Sequence, residues 1–160
     1  MAKAILLTGA PGSGKTTALK HVISQLNIKM GGFYTDEIRE RGKRVGFKIV
    51  PLSGQERILA HVQRKGPPRI GKYGVDVDVV DEVADESLLR AQEQADLIML
   101  DEIGPMEILS KTFCRVVMDL LEADVYIIGS IVKRSVPFAD AVKAHPEVDI
   151  LEFRSDNRSE

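Results

Sequence analysis

Gly9, Gly14, Lys15 and Thr16 stand at the spacing G-x-x-x-x-G-K-[ST] within the stretch GAPGSGKTT. Glycines at such points let the chain turn so that successive backbone N–H groups converge on phosphate oxygens, and a following helix adds its positive end. Gly9, Ala10, Pro11, Gly12, Ser13, Gly14, Lys15, Thr16 and Thr17 are therefore the candidate phosphate-binding set. Lys15 is placed to reach the β- and γ-phosphates of a triphosphate, and the Thr16 hydroxyl to sit on Mg²⁺. A glycine-rich turn that merely caps a helix would share this spacing, but it would need no second element elsewhere in the chain.

The second element is LIMLDE, Leu97 to Glu102, an apolar run with two carboxylates at its end. Ligands of open α/β sheets bind beyond the carboxyl ends of the strands, which is where those acids would stand. Asp101 is the candidate to hold Mg²⁺ through a water, and Glu102 to orient and deprotonate an attacking water. A carboxylate directly after the metal-site Asp is typical of P-loop ATPases with an extra strand between the two motif strands. The stretch from Thr17 to Asp96 is long enough to hold inserted elements. No Asn-Lys-x-Asp guanine-reading motif occurs. Gly129 and Ser130 close another apolar run and would lie beside the carboxylate strand. Arg39, Arg44, Lys133 and Arg134 are candidate transition-state charges. Arg64, Lys65, Arg69 and Lys72 read as a solvated basic loop. His21, His61 and His145 have no metal-ligand spacing.

Elements able to position these groups are legible as patterns. Ala4 to Leu7, Leu97 to Leu100 and Val125 to Ile131 are continuous apolar runs, as in parallel strands covered on both faces, and Val148 to Phe153 is a more polar one. Helical stripes run through Ala18, Leu19, Val22, Ile23 and Leu26, through Val80 to Ala95, and through Leu109 to Leu121. A fourth helix is expected to start at Ser135 as N-cap and to end before Pro146. Phe33 to Arg39 and Arg44 to Val50, around a turn at Arg41-Gly42, predict a β-hairpin; its charges suggest an edge or a flap. Together these give an α/β fold, a P-loop three-layer sandwich of additional-strand type. Its sheet is mainly parallel with an inserted β-hairpin, and residues 1–160 form one domain.

Composition narrows the classes. A chain of 160 residues buries roughly 68–70% of its unfolded surface without a staple. Cys114 is the single cysteine, which excludes an internal disulfide framework and fits a cytoplasmic location. The start of the chain does not read as a signal peptide, and no apolar run approaches the ~20 residues a membrane span needs. A net charge of −2 gives no global attraction to nucleic acid.

With these motifs in hand, the sequence resembles the THEP-type nucleoside-triphosphatase family, also called cancer-related NTPases. The resemblance is carried by Gly9 to Thr17, by GGFYTDEIRERGKRVGFKIV at Gly31 to Val50, by GKYGVDV at Gly71 to Val77 and by LDEIGPME at Leu100 to Glu107. It implies a monomeric or weakly associating enzyme that hydrolyses ATP, GTP, CTP and UTP slowly, with little base preference. It also implies an acidic strand segment of Leu97, Ile98, Met99, Leu100, Asp101, Glu102, Ile103 and Gly104, and a base-side contact at Asn157 and Arg158. Pro105 stands where the family often has lysine, so a phosphate role for that side chain is absent here. Two other readings stay open on the sequence: transfer of the γ-phosphate to a nucleotide or polynucleotide hydroxyl, and a nucleotide-dependent binding switch.

Overall fold

The computed structural model describes residues 3–10 and 12–154, so Pro11, Asn157 and Arg158 lie outside the described residues. Strand β1 (Ala4–Thr8) runs into the glycine loop and helix α1 (Lys15–Ser24), followed by β2 (Met30–Glu40) and β3 (Lys43–Pro51). Three short strands come next, β4 (Arg57–His61), β5 (Arg69–Ile70) and β6 (Tyr73–Val75). A helical stretch of α2 (Val77–Val83), a π turn (Ala84–Leu88) and α3 (Leu89–Gln94) leads to β7 (Leu97–Ile103). After a 3₁₀ turn (Glu107–Leu109) follow α4 (Lys111–Glu122), β8 (Tyr126–Ile131), α5 (Pro137–Lys143) and β9 (Val148–Glu152).

All nine of these strands form one mixed sheet in the order β5-β6-β4-β3-β2-β7-β8-β1-β9. From β2 to β9 the neighbours are parallel, and from β2 to β5 they are antiparallel. The parallel half is where the apolar runs lie: Leu97, Ile98, Met99 and Leu100 are all buried, as a strand covered on both faces must be. Successive residues of β2 show which helices do the covering. Phe33 meets Phe113 of α4 edge-on at 6.0 Å, while Lys20 of α1 lies 4.3 Å over the Tyr34 ring. Neighbours in a strand point to opposite faces, so α1 and α4 cover opposite sides of the sheet.

Several expectations need correction. The Phe33–Val50 region does not form an edge or a flap: β2 pairs with β7 on one side and β3 on the other, and β3 pairs onward with β4. Its charges are tolerated because only Met30 to Phe33 pair with β7; from Asp36 onward β2 runs past that cover. Strands β4, β5 and β6 lack a readable pattern because they are only five, two and three residues long. The stripe along α1 buries only Leu19, whereas Val22 and Leu26 are exposed. At α5, Val136 takes the N-cap position and Pro137 the first turn, where its missing N–H is harmless. Ser135 instead donates its hydroxyl to Asp140 at 2.5 Å.

Candidate active site

Strand β1 ends at Thr8, and the chain then turns through left-handed glycine conformations at Gly12 (φ 77°) and Gly14 (φ 98°) before α1 begins. A side chain at Gly14 would strain that turn, which sets the first residues of the helix beside the strand end. No side chain caps α1, and its first turn holds no acid, so its orphan N–H groups and positive end stay available to an anion. Lys15 Nζ donates to the Gly9 carbonyl at 3.0 Å and lies 3.6 Å from Glu102 Oε2. The loop is braced by β9: Phe153 N donates to the Thr8 carbonyl at 2.6 Å, and a Cβ on Gly9 would stand 2.5 Å from the Phe153 carbonyl oxygen.

The carboxylates arrive from β7, which is separated from β1 by β8 alone. Asp101 is 2% exposed. Its Oδ1 accepts the Ser130 hydroxyl from β8, the Thr16 side chain lies near enough to favour the charged carboxylate, and Oδ2 has no hydrogen-bond partner. Burial raises the Asp101 pKa above the usual carboxyl range, with Ser130, Thr16 and Lys15 pulling the other way. Glu102 is half-buried; burial raises it too, opposed by Lys15 and reinforced by the Asp101 charge. The phosphate loop and the acidic strand thus converge, with Lys15 as the bridge.

The donor set suits a hard cation. The Thr16 hydroxyl and the orphaned Asp101 oxygen are oxygen ligands of the kind Mg²⁺ prefers. Among the described residues no group of three or more His, Cys, Asp or Glu could hold a metal alone.

Other candidates are placed elsewhere. Leu97 to Leu100 and Ile103 form the buried body of β7 and position the acids from behind. Arg39 is tied to Glu37 at 2.8 Å and to the Gly42 carbonyl, while Arg44 bonds the Tyr73 hydroxyl at 3.0 Å and Glu37 at 3.3 Å. The Tyr73 bond raises Arg44 above its ordinary pKa, ahead of the Glu37 contribution. Lys133 reaches Glu152, and Arg64 pairs with Asp76. Sequence reading missed Glu107, a buried acid that follows the turn after Glu102. It closes the segment LDEIGPME, but nothing in that segment sets it apart from a turn acid.

The NTPase family model matches residues 4–160. Nucleoside-triphosphatase THEP1 of Thermotoga sp. (strain RQ2) is 45% identical over 155 residues, covering 97% of this chain and 88% of that protein. The chain belongs to the THEP1-type nucleoside-triphosphatase family. Membership makes it an enzyme of the NTPase class. The THEP1 protein of Methanocaldococcus jannaschii is 47% identical over 124 residues, covering 75% of this chain and 72% of that protein. Among solved structures, THEP1 from Aquifex aeolicus superposes with a TM-score of 0.89 at 31% identity, covering 98% of this chain and 92% of that one. A human cancer-related nucleoside triphosphatase does so at 0.76, with the same identity and coverage. The family's P-loop NTPase fold is thus the fold of this chain. Among the described residues no helix is long and apolar enough to cross a membrane.

Proposed function

We propose that the chain is a Mg²⁺-dependent hydrolase of the β–γ bond of nucleoside triphosphates, of the additional-strand P-loop type, with low base preference. The observation that carries this reading is the meeting of Lys15, Thr16, Asp101 and Glu102 across β1 and β7, with β8 between them. On triphosphate binding, the Lys15 ammonium exchanges the Gly9 carbonyl and Glu102 for phosphate oxygens, and the free N–H groups of the α1 turn take others. Thr16 and Asp101 would hold Mg²⁺, which when bound supplies charge neutralisation on the phosphates. Glu102 accepts the proton of the attacking water. Burial raises its pKa, which makes it a better proton acceptor than a solvated carboxylate, and the Lys15 charge beside it favours the ionised form.

Low base preference over ATP, GTP, CTP and UTP follows from the family resemblance, and the base-side contact is assigned to Asn157 and Arg158 on the same ground. Arg39 or Arg44 could supply transition-state charge only after leaving Glu37, whereas Lys15 is already in place. Phosphate release from the four triphosphates, with Mg²⁺ and with chelator, tests the proposal. Release that needs the metal and leaves a diphosphate supports it. Appearance of the γ-phosphate on an added nucleotide or polynucleotide, with no free phosphate, refutes hydrolysis in favour of transfer.

A further inference from the structure

Asp101 and Glu107 are the two buried acids among the described residues, and only the first has a task in the mechanism above. Glu107 opens the 3₁₀ turn that packs against α2, α4 and β7, and it is 4% exposed. The turn is closed by Ile108 N donating to the Gly104 carbonyl at 3.0 Å and Ser110 N to the Glu107 carbonyl at 3.1 Å. The backbone amides of Gly104 and Glu107 favour the charged form of the Glu107 carboxyl but are outweighed by burial. The decisive geometry is at Gly104. A Cβ there would lie 2.6 Å from Glu102 Oε1 and 3.0 Å from Glu107 Oε1. Both carboxyl groups therefore close on the same side of one backbone atom, no farther apart than those two distances combined.

We propose that Glu107 is a positioning residue for hydrolysis, fixing the Glu102 carboxyl group against the Lys15 side of the phosphate loop through the Gly104 turn that both acids grip. The inference rests on the reading of Glu102 as general base. An acid is an expensive choice for this place: apolar packing would fill the space between α2, α4 and β7 at lower cost, and an unpaired buried carboxylate destabilises a fold. Burial pushes Glu107 well above the usual carboxyl range, and the charges of Glu102 and Asp101 push it further. That direction favours the neutral form, which sits beside Glu102 without charge repulsion. The other titratable groups around the turn are occupied: Lys15 with Gly9 and Glu102, Asp81 of α2 with the Ser110 hydroxyl, and Cys114 of α4 with the Ile108 carbonyl. Among the described residues Glu107 has no ion-pair partner.

The test uses the full chain with Glu107→Gln, Glu107→Met and Gly104→Ala, each alone and combined with Glu102→Gln. Turnover, nucleotide affinity by calorimetry and thermal midpoint are measured on the same samples. Glu107→Gln, neutral and able to donate and accept, should restore kcat to within about threefold of parent. Glu107→Met puts an apolar chain in place of the carboxyl group at the Gly104 turn and should lower kcat about 10²-fold, the order expected for a displaced catalytic group, with KM and affinity unchanged. Gly104→Ala should give a similar loss in a folded protein, because its Cβ meets only the flexible ends of the two acids. That variant keeps the test alive if Glu107→Met does not fold. In the Glu102→Gln background each loss should shrink to about threefold or less, since the group being positioned is gone. Losses that multiply with Glu102→Gln, or a folded Glu107→Met or Gly104→Ala at the parent rate, overturn the proposal. Glu102→Gln alone at the parent rate overturns the general-base reading and this one with it, and is recognised separately because Glu107 is untouched.

Discussion

Lys15, Asp101 and Glu102 stand at the carboxyl ends of parallel strands, buried or half-buried, whereas Glu37, Arg39 and Arg44 stand on the antiparallel extension of the same sheet. On the extension the charges satisfy one another: two arginines share Glu37, and Arg44 also takes Tyr73. At the parallel ends the accounts do not close. The buried side-chain atoms without partners among the described residues are Thr8 Oγ1, Ser13 Oγ and Asp101 Oδ2, and all three border the phosphate loop. Native folds pair nearly all of their buried polar atoms, so unpartnered ones gathered at one place mark where a polar ligand would be bound. Charge alone would have drawn attention to the wrong half of the sheet.

Lys15→Ala should break the parallel half most severely. The ammonium is the one cation held between loop and acidic strand, and its loss should weaken triphosphate affinity by about 10²-fold or more while the fold survives. Calorimetry against a non-hydrolysable triphosphate measures it. Asp101→Asn should come next: it should weaken the metal site and raise the Mg²⁺ concentration for half-maximal turnover, with kcat falling by roughly 10²-fold. A metal titration of activity checks both. Alanine at Arg39 or Arg44 should leave kcat within about threefold, as the pairing with Glu37 suggests; a loss of about 10³-fold would instead bring the hairpin into the reaction.

The smallest effect is one of pH and stability. Glu107 has a folded pKa raised well above 4.5, so between its unfolded and folded values the native state binds the extra proton. Its contribution to stability is therefore present at low pH and falls as pH rises through that window. Replacing it by glutamine removes this contribution, so the thermal midpoint of the parent should decline relative to Glu107→Gln as pH rises above the ordinary glutamate range. Equal slopes for the two proteins would show that Glu107 does not hold its proton.

Much of the parallel half was legible because one kind of residue pattern had one structural meaning there. Continuous apolar runs at Ala4 to Leu7 and Leu97 to Leu100 read as strands and are strands; Leu97 to Leu100 is covered on both faces as expected, whereas Ile5 leaves one face of β1 exposed, and the glycine spacing placed Lys15 and Thr16 at a helix start. The extension was harder to read for a physical reason. Arg57 to His61, Arg69-Ile70 and Tyr73 to Val75 are short segments whose pairing is set by neighbouring strands and not by their own periodicity. Glu107 escaped because an acid following Gly104-Pro105 has the composition of a surface turn; only its burial between α2, α4 and β7 distinguishes it. Ser135 and Val136 show the limit on boundaries, where a proline one residue later moves the cap.

Phosphate release and nucleotide binding measured on the same preparation of Glu102→Gln test the central claim most directly. The amide keeps the shape of the side chain and loses the ability to take a proton. Binding of triphosphate and Mg²⁺ should stay within about threefold of the parent, and kcat should fall roughly 10²–10⁴-fold, the range for a lost general base. A Glu102→Gln variant that binds normally and turns over at the parent rate would contradict the account.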